Sequence, residues 1–428
     1  PGFMLVAWLA LPALLALAWR MFHRLGLHSP AAWILTALLA VNATALYLSL
    51  SLLTELLFTS LLIAALLLAE RGSGAAAGLV AGLAFLTKAL ALPFLVTGPL
   101  GLALRGRRRE AALCFGAMLP FVAAWNIWAR LHQPAATDVA TVYYTSYHGF
   151  WLLNLSLDDL PLVVWKNVDN FLANLGDLVA FDLSGSYWGR HVARLVGLAA
   201  IAGAWRLARS SRVIQYPLAA CGITAMLVVW DHTPSGRLVF PVFPLLLAGL
   251  AAELGHIGEM VRSTWRKGAV GERIAAGAIA AGLAGFGWTI ASSAYDGAAR
   301  ALPRLIEHER RGLEARLAAW RWIAVNTPRD ARLWAYHDPA LYLYTGRRAM
   351  KLPLPSKWLY RDDLPAFARP AMSLVDFARQ NRLDYIVVSD GDFALELPSA
   401  QRALVRRAVL ETAGVEAVYR SPSVTILR

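Results

Sequence analysis

Three ionisable residues lie where an apolar chain has reason to exclude them. Glu55 sits in Ser51-Leu-Leu-Thr-Glu55-Leu-Leu-Phe, Lys88 in Leu86-Thr-Lys88, and Arg237 directly ahead of Leu-Val-Phe-Pro241-Val-Phe-Pro244. A charge held in hydrocarbon costs about 2.5–3.5 kcal/mol on insertion scales, so a charge kept there marks a function or a pairing. Lys and Arg can run a long apolar stem to the headgroups, which is the plain structural account of Lys88 and Arg237. A carboxylate has no such stem, and the plain account of Glu55 is a pair with a neighbouring cation. The chemical account joins all three. Two cations and a carboxylate at one membrane depth line a polar site open to the outer interface.

An aromatic group follows a membrane exit: Tyr143, Tyr144, Tyr147, Phe150 and Trp151, with His148 among them. An interfacial belt explains it simply; the sharper reading has these residues, His148 included, line the path of a lipid-linked substrate. Other signals carry less. Gly72-Ser-Gly74-Ala-Ala-Ala77 matches a dinucleotide fingerprint as a string, but no strand precedes it. Gly78 and Gly82 form a small-residue packing face. Asn154-Leu-Ser156 and Asn42-Ala-Thr44 both fit the glycosylation sequon, the second inside an apolar segment, so the pattern says little. There is no Walker loop, no H-E-x-x-H and no G-x-S-x-G. No ligand cluster compels a metal. Cys114 and Cys221, the 2 cysteines, both lie in apolar runs, which argues against a disulfide framework.

The elements that must position these residues are membrane helices. Of 428 residues, 58% are hydrophobic and 16% charged, and mean hydropathy is +0.49. That composition excludes a disordered chain and an ordinary soluble enzyme. We read about ten membrane segments, near 3–20, 31–48, 52–69, 75–86, 89–104, 111–131, 191–206, 213–230, 238–254 and 274–294, the fourth and fifth short enough to form a re-entrant pair. The net charge of +13 is spread over short loops, which argues for membrane orientation rather than nucleic acid. Alternate connections carry fourteen Lys and Arg against five, so the first set is expected in the cytoplasm. The long loop 132–190 and the C-terminal region then face outward, in a multi-pass membrane protein.

From about residue 298 the composition changes. Leu313, Leu317, Trp320 and Ile323 give one helical face; strand-like runs follow at 332–336 and 385–388, helical ones at 339–344 and 374–380, and 415–419 with 424–427 can pair as strands. The fold class is thus a polytopic α-helical membrane domain over 1–297 followed by a small extracytoplasmic α/β domain over 298–428.

Taken in order, Pro1-Gly-Phe-Met-Leu, Leu53-Thr-Glu55-Leu-Leu-Phe, Gly82-Leu-Ala-Phe-Leu-Thr-Lys88 and Arg237-Leu-Val-Phe-Pro-Val-Phe-Pro244 resemble the GT-C glycosyltransferases that use polyprenyl-phosphate sugars, among them protein mannosyltransferases and lipid A aminoarabinose transferases. Trp322-Ile-Ala-Val-Asn-Thr-Pro328 and Tyr344-Thr-Gly-Arg347-Arg fit the outer domain of such enzymes. The resemblance implies hexosyl or pentosyl transfer from a polyprenyl-phosphate sugar to an extracytoplasmic lipid, glycan or protein, as in cell-envelope glycosylation. It implies Lys88 and Arg237 on the phosphate, and Glu55 orienting a cation or metal or binding the acceptor; some relatives use a divalent metal. It also implies a catalytic Asp on a first external loop. Pro1-Gly2 resembles the stretch just after that loop, so the first helix, its loop and that Asp are expected upstream of Pro1. Asp138 and Asp231 are auxiliary candidates. Two other classes compete: a transporter or flippase for a lipid-linked sugar, against which stand the lack of an internal repeat and the one-sided polar residues, and a membrane-anchored assembly protein.

Overall fold

The computed structural model describes residues 2–51, 53–135, 139–146, 149–150, 154–210 and 214–428. The chain divides into two compact units: Pro1–Gln133 with Val163–Pro303, and Pro134–Leu162 with Arg304–Arg428.

The first unit is helical and apolar, as befits a membrane protein. Among the described residues four helices are long and apolar enough to cross a membrane: Leu5–Arg24, Arg108–His132, Gly236–Lys267 and Val270–Asn326, the last running on into the second unit. The helices Ser29–Ala40 and Ala43–Leu50 meet at 52° and together reach that length. Gly74–Thr87, Ala89–Leu104 and Gln215–Val228 are shorter apolar helices. About ten full spans therefore do not emerge by length alone; several of the expected segments are short or broken. The bend after Ala40 has a clear cause. Asn42 caps the next helix, its Oδ1 accepting from the Ala45 N–H at 3.1 Å, while its Nδ2 donates to the Leu178 carbonyl at 2.6 Å. The sequon reading of that residue dissolves into a cap.

Helix packing here depends on missing side chains. Along Gly74–Thr87, a Cβ at Gly74 would meet the Glu110 backbone, at Gly78 the Cys114 carbonyl, and at Gly82 the Phe121 ring. One glycine face therefore lies against the helix Arg108–His132 at near contact distance. Gly203 and Gly249 do the same between Tyr187–Ser210 and Phe243–Lys267.

One helix lies inside what the sequence reads as a long loop. Leu160–Val179 is amphipathic, burying Val163, Asn167, Phe171, Leu175 and Leu178 at spacings of three and four. Its polar inward residues hide the stripe from a search for apolar runs.

The second unit carries a five-stranded sheet in the order β2-β1-β3-β5-β4, with β1 Arg332–Ala335, β2 Arg348–Met350, β3 Tyr385–Ser389, β4 Ala417–Arg420 and β5 Val424–Leu427. β1 pairs in parallel with β2 and β3, Trp334 opposite Ile386; β5 runs antiparallel to β3 and β4. Strand residues alternate between two cores, as a period of two requires. Trp334, Tyr336, Ile386 and Val388 pack under Phe367, Leu374 and Val405, whereas Leu333, Ala335, Tyr385 and Val387 face Trp320 and Ile323 of the helix Leu302–Asn326. The segment 134–162, which the sequence places with the membrane part, belongs to this unit. Tyr144 shows how it is tied in: its hydroxyl donates to Asp338 Oδ2 at 2.7 Å and accepts from the Lys351 N–H at 2.6 Å.

Candidate active site

Glu55 is the first residue of the helix Glu55–Arg71, where an anion complements the positive helix end. Lys88 follows the last residue of Gly74–Thr87 in extended conformation, φ −158° and ψ 126°, so its side chain leaves the helix axis. Arg237 lies in the short helix Gly236–Val239, followed by a 3-10 turn at Phe240–Val242 whose three residues are buried. Three separate elements thus deliver three charges to one point. Lys88 Nζ lies 2.7 Å and Arg237 Nε 2.9 Å from the same oxygen, Glu55 Oε1.

Burial sorts their roles. The Glu55 side chain is 2% exposed, that of Lys88 18% and that of Arg237 50%. Glu55 is a buried hub holding two cations, of which Arg237 faces the open. The cluster carries a net charge of +1, and among the described residues the terminal nitrogens of Arg237 donate to no protein group. Glu55 Oε2 is likewise buried without a hydrogen-bond partner. A half-exposed guanidinium beside an ammonium is a ready oxyanion clamp, and the unpaired carboxylate oxygen beside it accepts a hydroxyl or amine donor.

The segment ahead of Arg237 is held by residues that the sequence analysis does not single out. Asn167 Nδ2 lies 3.3, 3.0 and 2.8 Å from the carbonyls of Leu227, Val228 and Trp230, and Asn174 Nδ2 donates to the Pro234 carbonyl at 3.0 Å. Two turns apart on Leu160–Val179, these amides position the loop 229–235. Their seven-residue spacing was the available signal, visible only once that stretch is read as a helix. Asp231 is buried in this loop. His148 and Asp138 lie outside the described residues, as do Tyr147 and Trp151. Tyr143 and Phe150 meet edge to face at 5.1 Å within the second unit.

Among the described residues no three His, Cys, Asp or Glu side chains gather as a metal site. The positive charge at the cluster comes from Lys88 and Arg237. The same unit holds an apolar cavity of about 230 Å3, lined by Leu35, Leu38, Leu178, Phe243, Leu247 and Ile290 among others.

No protein-family model matches the chain, and no curated protein matches it in sequence. Solved structures do. ArnT from Cupriavidus metallidurans bound to undecaprenyl phosphate aligns with a TM-score of 0.50 at 14% identity, over 99% of this chain and 83% of that one. The same protein in its apo state aligns with a TM-score of 0.50 at 15% identity and equal coverage. Along nearly its whole length, therefore, this chain shares the fold of ArnT.

Proposed function

We propose that the protein is a membrane glycosyltransferase that takes its sugar from a polyprenyl phosphate and passes it to an extracytoplasmic lipid, glycan or protein. The convergence of Lys88 and Arg237 on Glu55 carries this reading. Breaking the bond between sugar and phosphate leaves negative charge on the phosphate oxygens. Lys88 and Arg237 hold that phosphate and stabilise the charge as it develops, Arg237 through its free guanidinium edge. Glu55 fixes both cations before substrate arrives, so little reorganisation accompanies the reaction. The apolar cavity in the same unit suits a prenyl chain. As the acceptor oxygen attacks the anomeric carbon and the sugar–phosphate bond breaks, the acceptor's proton must pass to a carboxylate acting as general base, the role that the family resemblance gives to an Asp. The fold shared with ArnT, which was solved bound to undecaprenyl phosphate, supports the same donor class.

The proposal also places 134–162 and 304–428 outside the cell membrane. Cysteines introduced singly at 330–420 should label from the outer face only; labelling from the cytoplasm overturns the orientation. The donor assignment is tested by titrating undecaprenyl phosphate into the purified protein. Saturable binding that disappears in Lys88→Ala and Arg237→Ala is expected, and binding that survives both removes them from the site.

A further inference from the structure

The helix Glu55–Arg71 ends as it begins, on a carboxylate that gathers cations. Residues 55 and 70 stand about 22 Å apart along it at 1.5 Å per residue, so this second cluster lies at the far end of the helix from Lys88 and Arg237. The Glu70 side chain is 10% exposed and is met from three directions. Arg24, the last residue of the helix Gly2–Arg24, brings NH1 to 3.6 Å from Oε1, and the Tyr216 hydroxyl donates to Oε2 at 3.1 Å. Arg105 NH1 donates to the Glu70 carbonyl at 3.0 Å, and Arg107 NH1 reaches the same oxygen at 3.5 Å. Two glycines in the left-handed region permit this approach. Gly106, φ +77°, turns the chain between the two arginines, and Gly72, φ +82°, leaves room where a Cβ would strike the Arg107 guanidinium.

The three arginines and Glu70 together carry +2. Arg24 is exposed, and Arg105 and Arg107 are half-buried. Among the described residues Nε and NH2 of Arg105 and Arg107 donate to no protein group, and none of these four nitrogens is sealed inside the protein. Held on one side by Glu70 and open on the other, the guanidiniums match the oxygens of a phosphate. The neighbouring surface says which phosphate. Val96, Leu100 and Leu104 are exposed at spacings of four along the helix Phe94–Leu104, a stripe that leads directly to Arg105. An apolar stripe ending on open guanidiniums fits acyl chains ending on a charged headgroup. The loops concerned are also ones that the count of Lys and Arg assigns to the cytoplasm, where basic pockets between membrane helices hold anionic lipids.

We propose that Arg24, Arg105 and Arg107 bind the phosphate of an anionic phospholipid in the leaflet opposite the Glu55 cluster. Glu70 does for these cations what Glu55 does for Lys88 and Arg237: it holds them in place before the ligand arrives. The bound lipid ties together the ends of the helices Gly2–Arg24, Glu55–Arg71 and Phe94–Leu104, and so steadies the rod that presents Glu55.

Thermal melting of the full chain, stripped of lipid in a neutral detergent, tests this. Phosphatidylglycerol should raise the melting temperature saturably, whereas phosphatidylcholine and inorganic phosphate at equal concentration should not. Arg24→Gln, and Arg105→Gln together with Arg107→Gln, should each weaken the apparent affinity by about tenfold or more, as expected for loss of charged donors. Arg24→Gln alters an exposed side chain at a helix end, so the test stands if the double variant fails to fold. Arg266→Gln with Lys267→Gln, at the end of the helix Phe243–Lys267, removes two charges from the same side and should leave the shift unchanged, as should Lys88→Ala. The proposal falls if phosphatidylglycerol gives no saturable shift, if phosphatidylcholine or inorganic phosphate matches it, or if Arg24→Gln keeps full affinity. It falls equally if the change at Arg266 and Lys267 weakens binding as much, or if Lys88→Ala abolishes it.

Discussion

Two arginines, both within motifs that carry the family resemblance, are used in opposite ways. Arg347 in the second unit is 8% exposed and fully engaged: Nε meets Thr327 Oγ1 at 3.3 Å, NH1 donates to the Thr345 carbonyl at 3.0 Å, and NH2 donates to the carbonyls of Ala324 and Thr327, both at 2.9 Å. It joins the end of the helix Leu302–Asn326 to the turn before β2. Arg237 in the first unit spends one nitrogen on Glu55 and leaves its outer edge open. A guanidinium with every nitrogen engaged, by the Thr327 hydroxyl and by three backbone carbonyls, is a structural rivet. One whose donors are partly idle, beside a second cation, is built to receive something. Sequence pattern alone rates them equally; donor accounting separates them.

The strongest way to break this contrast is at the open cluster. In a preparation active in transfer, Lys88→Ala and Arg237→Ala should each lower the rate by roughly 10²–10³-fold, the usual loss for one preorganised charge-stabilising donor, with membrane insertion unchanged. A turnover assay on reconstituted protein reads this, and near-normal rates would reduce Arg237 to a lipid anchor. Arg347→Met should act the other way. It strands several buried carbonyls and should cost about 3 kcal/mol of stability, seen as a lower melting temperature, with turnover per folded molecule kept. Glu55→Gln should fall between. It retains shape but loses the charge that gathers Lys88 and Arg237, so transfer should drop about tenfold and donor binding should become more sensitive to salt.

The remaining effect concerns the second unit alone and leaves the transfer site untouched. Asp392 titrates near 7 when folded and near 3.9 when unfolded, so the folded state keeps a proton that the unfolded chain releases across that interval. The stability from this group is complete below about 4, declines as pH rises and is lost above about 7. Asp392→Asn should flatten that part of the pH profile of melting. A profile unchanged by the substitution would show that the carboxyl is not buried.

Much of this architecture could be read from residues. Glu55, Lys88 and Arg237 stood out because charge in an apolar run is costly, and the structure brings them onto one oxygen. In the second unit β1, β3 and the β4–β5 pair follow the expected runs, and Gly346 ends Asp338–Thr345 in the left-handed region at φ +66°. The short β2, Arg348–Met350, was not legible, because three residues carry no period. The helix Leu160–Val179 was missed because Asn167 and Asn174 occupy inward positions where apolar residues were sought. Nor can a sequence show that 134–162 belongs with the second unit, since Tyr144 meets Asp338 across 194 positions.

The glycine face of Gly74–Thr87 sets how tolerant the site is to change. Gly82 lies six residues before Lys88, and its spacing from the Phe121 ring is set by direct contact. Enlarging Gly78 or Gly82 by one methyl would shift the whole rod sideways and carry the ammonium off its carboxylate, although neither glycine bears a charge. Activity in this protein is therefore vulnerable at silent, featureless positions, and a mutational survey restricted to polar residues would overlook them.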